Sequence, residues 1–240
     1  MDFLIVYYVL GLVMLPGIIL AMIAQAKVSS AYSSMSKVQS KQGKPASLVA
    51  REVLDKHNLG HITLHKIPGT LTDHFDPKKQ TISLSEKVYD GTDIASIGIA
   101  LHEVGHAIQH AEEYGPAKMR LAIAPVLSFT SSILWPIVVI GLLFGFFGGF
   151  DNIVGQIFIW IGIAFFSLSL IFSLITLPTE FDASKRAKLE LADGRMDEEE
   201  LAGAKKVLSA AALTYVASLV MSILSLLRFI LAIIAVKNRE

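Results

Sequence analysis

The stretch Leu101-His102-Glu103-Val104-Gly105-His106-Ala107-Ile108-Gln109-His110 carries a helical pattern, and at Leu121, eleven residues beyond it, an uncharged apolar run begins. These two features set the problem: a metal-type motif on a polar segment, in a chain that enters a bilayer. Histidines four residues apart lie on one face of a helix about one turn from each other. Both imidazoles can therefore reach a single ion, with Glu103 alongside to polarise a bound water. At this composition about 0.01 matches to His-Glu-x-x-His are expected by chance in the whole chain, so the motif is informative. The plainer reading is a set of polar side chains packed along an amphipathic helix. The helix is predicted to begin near Asp93, which suits an N-cap, and to stop at Gly115-Pro116.

Working outward, 53% of the 240 residues are hydrophobic and 18% are charged, and mean hydropathy is +0.57. A soluble domain has about 45–50% apolar and about 25% charged residues, so this is the composition of a membrane protein. A helix needs about 20 apolar residues to cross a hydrocarbon core about 30 Å thick. Four runs meet that length: 3–26, 121–147, 153–177 and 207–236, the last interrupted only by Arg228. The first run could be taken for a cleaved leader, because Ala24-Gln25-Ala26 resembles a cleavage site. Asp2 leaves no basic n-region, however, and the run exceeds a signal core, so an uncleaved anchor is expected. The expected fold is an α-helical membrane protein with four transmembrane helices and a small α+β zincin-like domain, the zincin part resting on the family resemblance given below.

Residues 148–152 are too short to be more than a hairpin connection between the second and third spans. A hairpin returns the chain to the side it left, so the polar region 27–120 and the polar loop 178–206 face one compartment and can build one site. Outside those two segments the basic residues are only Arg228, Lys237 and Arg239. Lysine and arginine accumulate on the cytoplasmic side, which puts both polar segments there and both termini outside. Lys and Arg balance Asp and Glu at 21 each, without the basic footprint of a nucleic-acid binder.

Within 27–120, the Ser/Lys/Gln-rich stretch 33–44 ending at Pro45 reads as a linker. A helix is expected from Ala46 to Lys56. Two alternating runs, His61–Ile67 and Gln80–Leu84, read as strands separated by Pro68-Gly69 and Asp76-Pro77. They are expected to form a small sheet, and the second could either pair an extended peptide along an open edge or belong to a closed hairpin.

Cysteine is absent, which excludes disulfides, thiolate zinc sites and a cysteine nucleophile. A metal site must be built from His, Asp and Glu. Catalytic zinc takes three protein ligands and leaves the fourth position to water, so His102 and His106 need a third. His110 continues the face, but it lies about 12 Å along the axis from His102, too far for one ion. The topology points to 178–206, where Pro178 suits a helix start and Glu180 would lie in the first turn. Spacing alone leaves Glu180, Asp182 and Glu190 in competition, and an acidic first turn also favours the helix dipole.

Asp73-His74-Phe75-Asp76-Pro77, Leu84-Ser85-Glu86, His102–His110 and Leu177-Pro178-Thr179-Glu180-Phe181-Asp182-Ala183-Ser184 together resemble the YugP-type neutral zinc metallopeptidases of bacterial membranes. More distantly they resemble the HtpX-like gluzincins, whose third ligand sits in a Glu-x-x-Ala-Asp pattern. The resemblance extends over most of the chain. It implies a multi-pass protein of the bacterial plasma membrane that binds one Zn2+ through His102, His106 and Glu180, uses Glu103 as general base, and hydrolyses protein or peptide substrates. Ser184 stands where the HtpX-like pattern has Asp, a departure at the position that orients a ligating histidine. His74, His110, Tyr114 and Arg186 are candidates for stabilising the oxyanion. A homo-oligomer or a membrane-protein partner is left open.

Two other readings compete with this one. An intramembrane protease of the site-2 type needs an Asp ligand within a membrane segment, and none of the four runs contains one. A non-catalytic zinc-dependent scaffold has no need of Glu103, since a structural site is closed by a fourth ligand. Of the remaining features, Arg228 is read as snorkelling to the interface. Asp197–Glu200 is read as the acidic start of a helix, and the glycines of 141–149 as packing and turn residues.

Overall fold

The computed structural model describes residues 9–130 and 153–237. Most of the predicted second span, the hairpin connection, the glycines of 141–149 and the first residues of span one lie outside the described residues. The chain divides into two compact units: Met1–Met22 with Met119–Thr176 and Tyr215–Glu240, and Ile23–Lys118 with Leu177–Thr214.

The first unit is helical where it is described. Among the described residues three helices are long and apolar enough to cross a membrane: Val9–Met35, Ile153–Ala192 and Glu198–Ala235. Their small residues permit close packing, as is usual where lipid removes the hydrophobic drive between helices. Gly162 faces the ring of Phe229, where any Cβ would clash. The Ser173 and Ser222 hydroxyls share a 2.8 Å hydrogen bond.

The second unit is mixed. In chain order it holds the end of α1 (Leu15–Met35), α2 (Ala46–Lys56), β1 (Thr63–Ile67), β2 (His74–Asp76), β3 (Thr81–Ser85), the short α3 (Glu86–Tyr89) and α4 (Ile94–Ala111). After a turn, residues 115–130 form α5. The C-terminal part of α6 (Ile153–Ala192) and the N-terminal part of α7 (Glu198–Lys237) complete it. The α2 helix has the expected bounds, whereas the expected linker 33–44 is shortened because α1 continues to Met35.

The sheet departs from the hairpin reading. Its order is β1-β3-β2, with β1 parallel to β3 and β2 antiparallel to it. The three-residue β2 is too short to show an alternation, yet it occupies the second side of β3. Because β3 is central, Gln80–Leu84 offers no free edge for a peptide, which corrects the edge-pairing expectation. Its central place also explains why consecutive residues Ile82, Ser83, Leu84 and Ser85 are all buried, in the manner of a strand covered on both faces.

Two helix boundaries also differ from expectation. The α4 helix ends at Ala111, with Glu112 as C-cap and Glu113 at φ 56°. Gly115-Pro116 opens α5 instead, a position where proline's missing N–H would have no helical partner anyway. Pro178 does not start a helix, since α6 runs through it. That removes one backbone hydrogen bond, to the carbonyl of Leu174.

The core of this unit is built from Val49, Val53 and Leu54 of α2, Ile82 and Leu84 of β3, Leu101 and Val104 of α4, and Leu191 of α6. Burying each such side chain is worth about 1.5–3 kcal/mol. The α4 helix is thus held on several sides, so its polar face has a fixed direction.

Candidate metal centre

The α4 helix begins as expected: the Asp93 carboxylate accepts from Ser96 N at 2.9 Å and from Ser96 Oγ at 2.7 Å. One face of the helix enters the core through Leu101, Val104 and Ile108. His102 and His106 lie beside that face, each with 14% of its side chain exposed. Their rings meet edge-on, with centroids 4.7 Å apart.

The third group comes from α6. Glu180 is 1% exposed, and its Oε2 lies 3.1 Å from His102 Nε2 and 3.5 Å from His106 Nε2. One ligand atom from each of the three residues lies within 4.8 Å of the others, and this group could hold a metal ion. Donors about 2.0–2.2 Å from a tetrahedral zinc stand about 3.3–3.6 Å apart; the 3.5 Å separation falls in that range and the 3.1 Å separation lies just below it. Two imidazoles and a carboxylate are also the donor types zinc accepts.

The other two acids that the sequence offers are engaged elsewhere. Asp182 accepts from Arg186 Nε at 2.6 Å and from Gln109 Nε2 at 2.9 Å. Glu190 pairs with Lys56 and His57, both at 2.8 Å. The apolar run of α6 ends at Leu177, and Glu180 belongs to the mixed unit. Burial opposes its ionisation, yet hydrogen bonds from His102 and His106 hold its carboxyl well below the usual range.

A glycine makes this meeting possible. A Cβ on Gly105 would stand 2.6 Å from the Ala183 carbonyl oxygen and 3.1 Å from Ala183 Cα. No L side chain fits there without moving backbone, so Gly105 lets α4 and α6 touch between the two histidines. Ala183 is flanked by Glu180 on one turn and Ser184 on the next. Ser184 Oγ lies 3.2 Å from His102 Nδ1, so the serine that stands where the HtpX-like pattern has aspartate meets a ring nitrogen of His102. His106 is met by Gln109, whose Oε1 lies 3.0 Å from Nδ1. Sequence reasoning passed over both Gly105 and Gln109. The only signal for Gln109 is its place one turn after His106.

Glu103 is 7% exposed. Asp73, ahead of β2, accepts from Ser85 N at 2.7 Å and Ser85 Oγ at 3.1 Å. Burial pushes its carboxyl up, the Ser85 donors oppose that, and the charge of Glu103 adds to the rise. Of the oxyanion candidates, Arg186 is committed to Asp182 and Glu112, and His74 is exposed with Nδ1 on the Thr72 carbonyl. His110 packs on Phe75, with ring centroids 5.9 Å apart, and Tyr114 is half-buried.

Residues 10–234 match the family described as "putative neutral zinc metallopeptidase", and the chain belongs to that family. It is also 44% identical over 209 residues to a protein of Bacillus subtilis (strain 168) described as "Putative membrane protease YugP", covering 87% of this chain and 89% of that one. No solved structure matches it.

Proposed function

We propose that this protein is a membrane-anchored zinc metalloendopeptidase that cleaves membrane or membrane-proximal proteins at the cytoplasmic face. The observation that carries the reading is the convergence of His102 Nε2, His106 Nε2 and Glu180 Oε2 at zinc-ligand spacing. Family membership supports the chemistry, and the apolar helices support the anchoring.

In this reading His102, His106 and Glu180 hold one Zn2+, which when bound lowers the pKa of a water toward 7 and polarises a carbonyl. Glu103, one residue after His102, takes the proton from the attacking water and later delivers it to the leaving amine. Ser184 and Gln109 keep the two rings from turning, so the Nε2 atoms stay aimed at Glu180. The basic residues of 27–120 and 178–206 support the cytoplasmic placement. A scaffold role would leave a buried glutamate beside the histidines without a use.

The test is digestion of an unfolded protein by detergent-purified, zinc-loaded wild type beside Glu103→Gln. Cleavage by wild type alone, at equal zinc content, is the expected result. Equal cleavage by both, or inert proteins of equal zinc content, would overturn the peptidase reading.

A further inference from the structure

Gln109 is a glutamine with no exposed surface. Besides the contact from Oε1 to His106 Nδ1, its Nε2 lies 2.7 Å from the Thr179 carbonyl oxygen and 2.9 Å from Asp182 Oδ2. An amide's orientation follows from what its neighbours can donate or accept. Here they permit one choice. The Thr179 carbonyl only accepts, and Asp182, ion-paired with Arg186, also only accepts. The NH2 group must face these two, which leaves Oε1 facing His106. An oxygen in that place requires the hydrogen on Nδ1, and a neutral imidazole protonated there carries its lone pair on Nε2. That is the nitrogen directed at Glu180.

We infer that Gln109 is a positioning residue for the metal centre: with Asp182 and Arg186 behind it, its amide fixes His106 as the Nδ1–H tautomer and so presents Nε2 to the metal. The inference rests on the metal-site reading above. His102 differs, because the Ser184 hydroxyl donates or accepts with equal ease and imposes no tautomer. The Gln109 amide also grips the backbone of Thr179, next to Glu180. One side chain on α4 therefore aligns a ligand on its own helix with the ligand on α6.

Two measurements on the full-length protein in detergent test this. In chelator-stripped wild type, the 15N ring shift of His106 Nδ1, identified by its loss in His106→Gln, should be that of a protonated nitrogen; an unprotonated Nδ1 would overturn the proposal. In the second, Co2+ binding is followed by visible absorption in competition with a chelating indicator. Gln109→Met, which keeps length but cannot hydrogen-bond, should weaken Co2+ affinity about 10–100-fold and shift the absorption bands. Metal-free circular dichroism should match wild type. A folded Gln109→Met with affinity within about twofold of wild type and unchanged bands would overturn the relay alone. Wild type that takes up no Co2+, or takes it up as well after Glu180→Gln, would overturn the metal site itself.

Discussion

Gly105 shows how much one missing methyl group can decide. It stands between the two histidines, and the Ala183 backbone fills the place of its side chain. Gly105→Ala must push α4 from α6, a strain of about 1–3 kcal/mol for an overpacked core. The expected result is a lower melting temperature together with reduced zinc per chain, measured by thermal unfolding and metal analysis on the same sample. A Gly105→Ala protein with full zinc content and unchanged melting would contradict the close approach. Ser184→Ala is the milder probe. It removes one hydrogen bond to His102 Nδ1 without adding bulk, and should weaken metal affinity about tenfold while the protein stays folded.

Among the elements, α4 depends on its cap and on β3. Asp93 satisfies Ser96 N, and Asp93→Ala should cost about 1 kcal/mol, visible as a lower unfolding temperature. Asp73 ties the end of β3 through Ser85 and carries a pH signature. Its carboxyl in the folded protein is raised above its ordinary value of 3.8. The folded state thus binds a proton more readily than the unfolded state, so stability falls as pH rises from about 3.8 through the folded pKa. Asparagine can keep the Ser85 N–H bond and carries no charge. In metal-free protein, Asp73→Asn should melt higher than wild type at neutral pH, with the advantage shrinking as pH falls toward 4. An advantage that persists unchanged at low pH would show that charge is not its cause. The α4, α2 and β3 elements were legible because their apolar residues recur at helical or strand spacing. The short β2 was not, since three residues carry no period, and with it the parallel order of the sheet went unread.

For the whole molecule, the absence of cysteine makes any introduced cysteine a unique reporter of sidedness. Lys78→Cys and Glu199→Cys place thiols on exposed positions of the mixed unit. Both should resist a membrane-impermeant maleimide in intact cells and react once the membrane is opened. Labelling of either one in intact cells would reverse the proposed orientation. The same topology accounts for residues distant in sequence sharing a unit: His102 and Glu180 are joined across 78 positions.

The sequence by itself determined that the chain carries apolar runs long enough to cross a bilayer, because a helix needs about 20 such residues to span it. It also determined that His102 and His106 share one helical face with Glu103 alongside, because a four-residue spacing matches the pitch of an α-helix. Only the tertiary structure brings Glu180, and not Asp182 or Glu190, to the two histidines. That choice depends on which acid meets the histidines and which are already paired with Arg186 or Lys56, and such pairings arise between helices that no local spacing connects. The roles of Gly105, Gln109 and Ser184 belong to the same class: each acts through a neighbour on another helix or on the next turn, so its meaning appears only when α4 and α6 are packed.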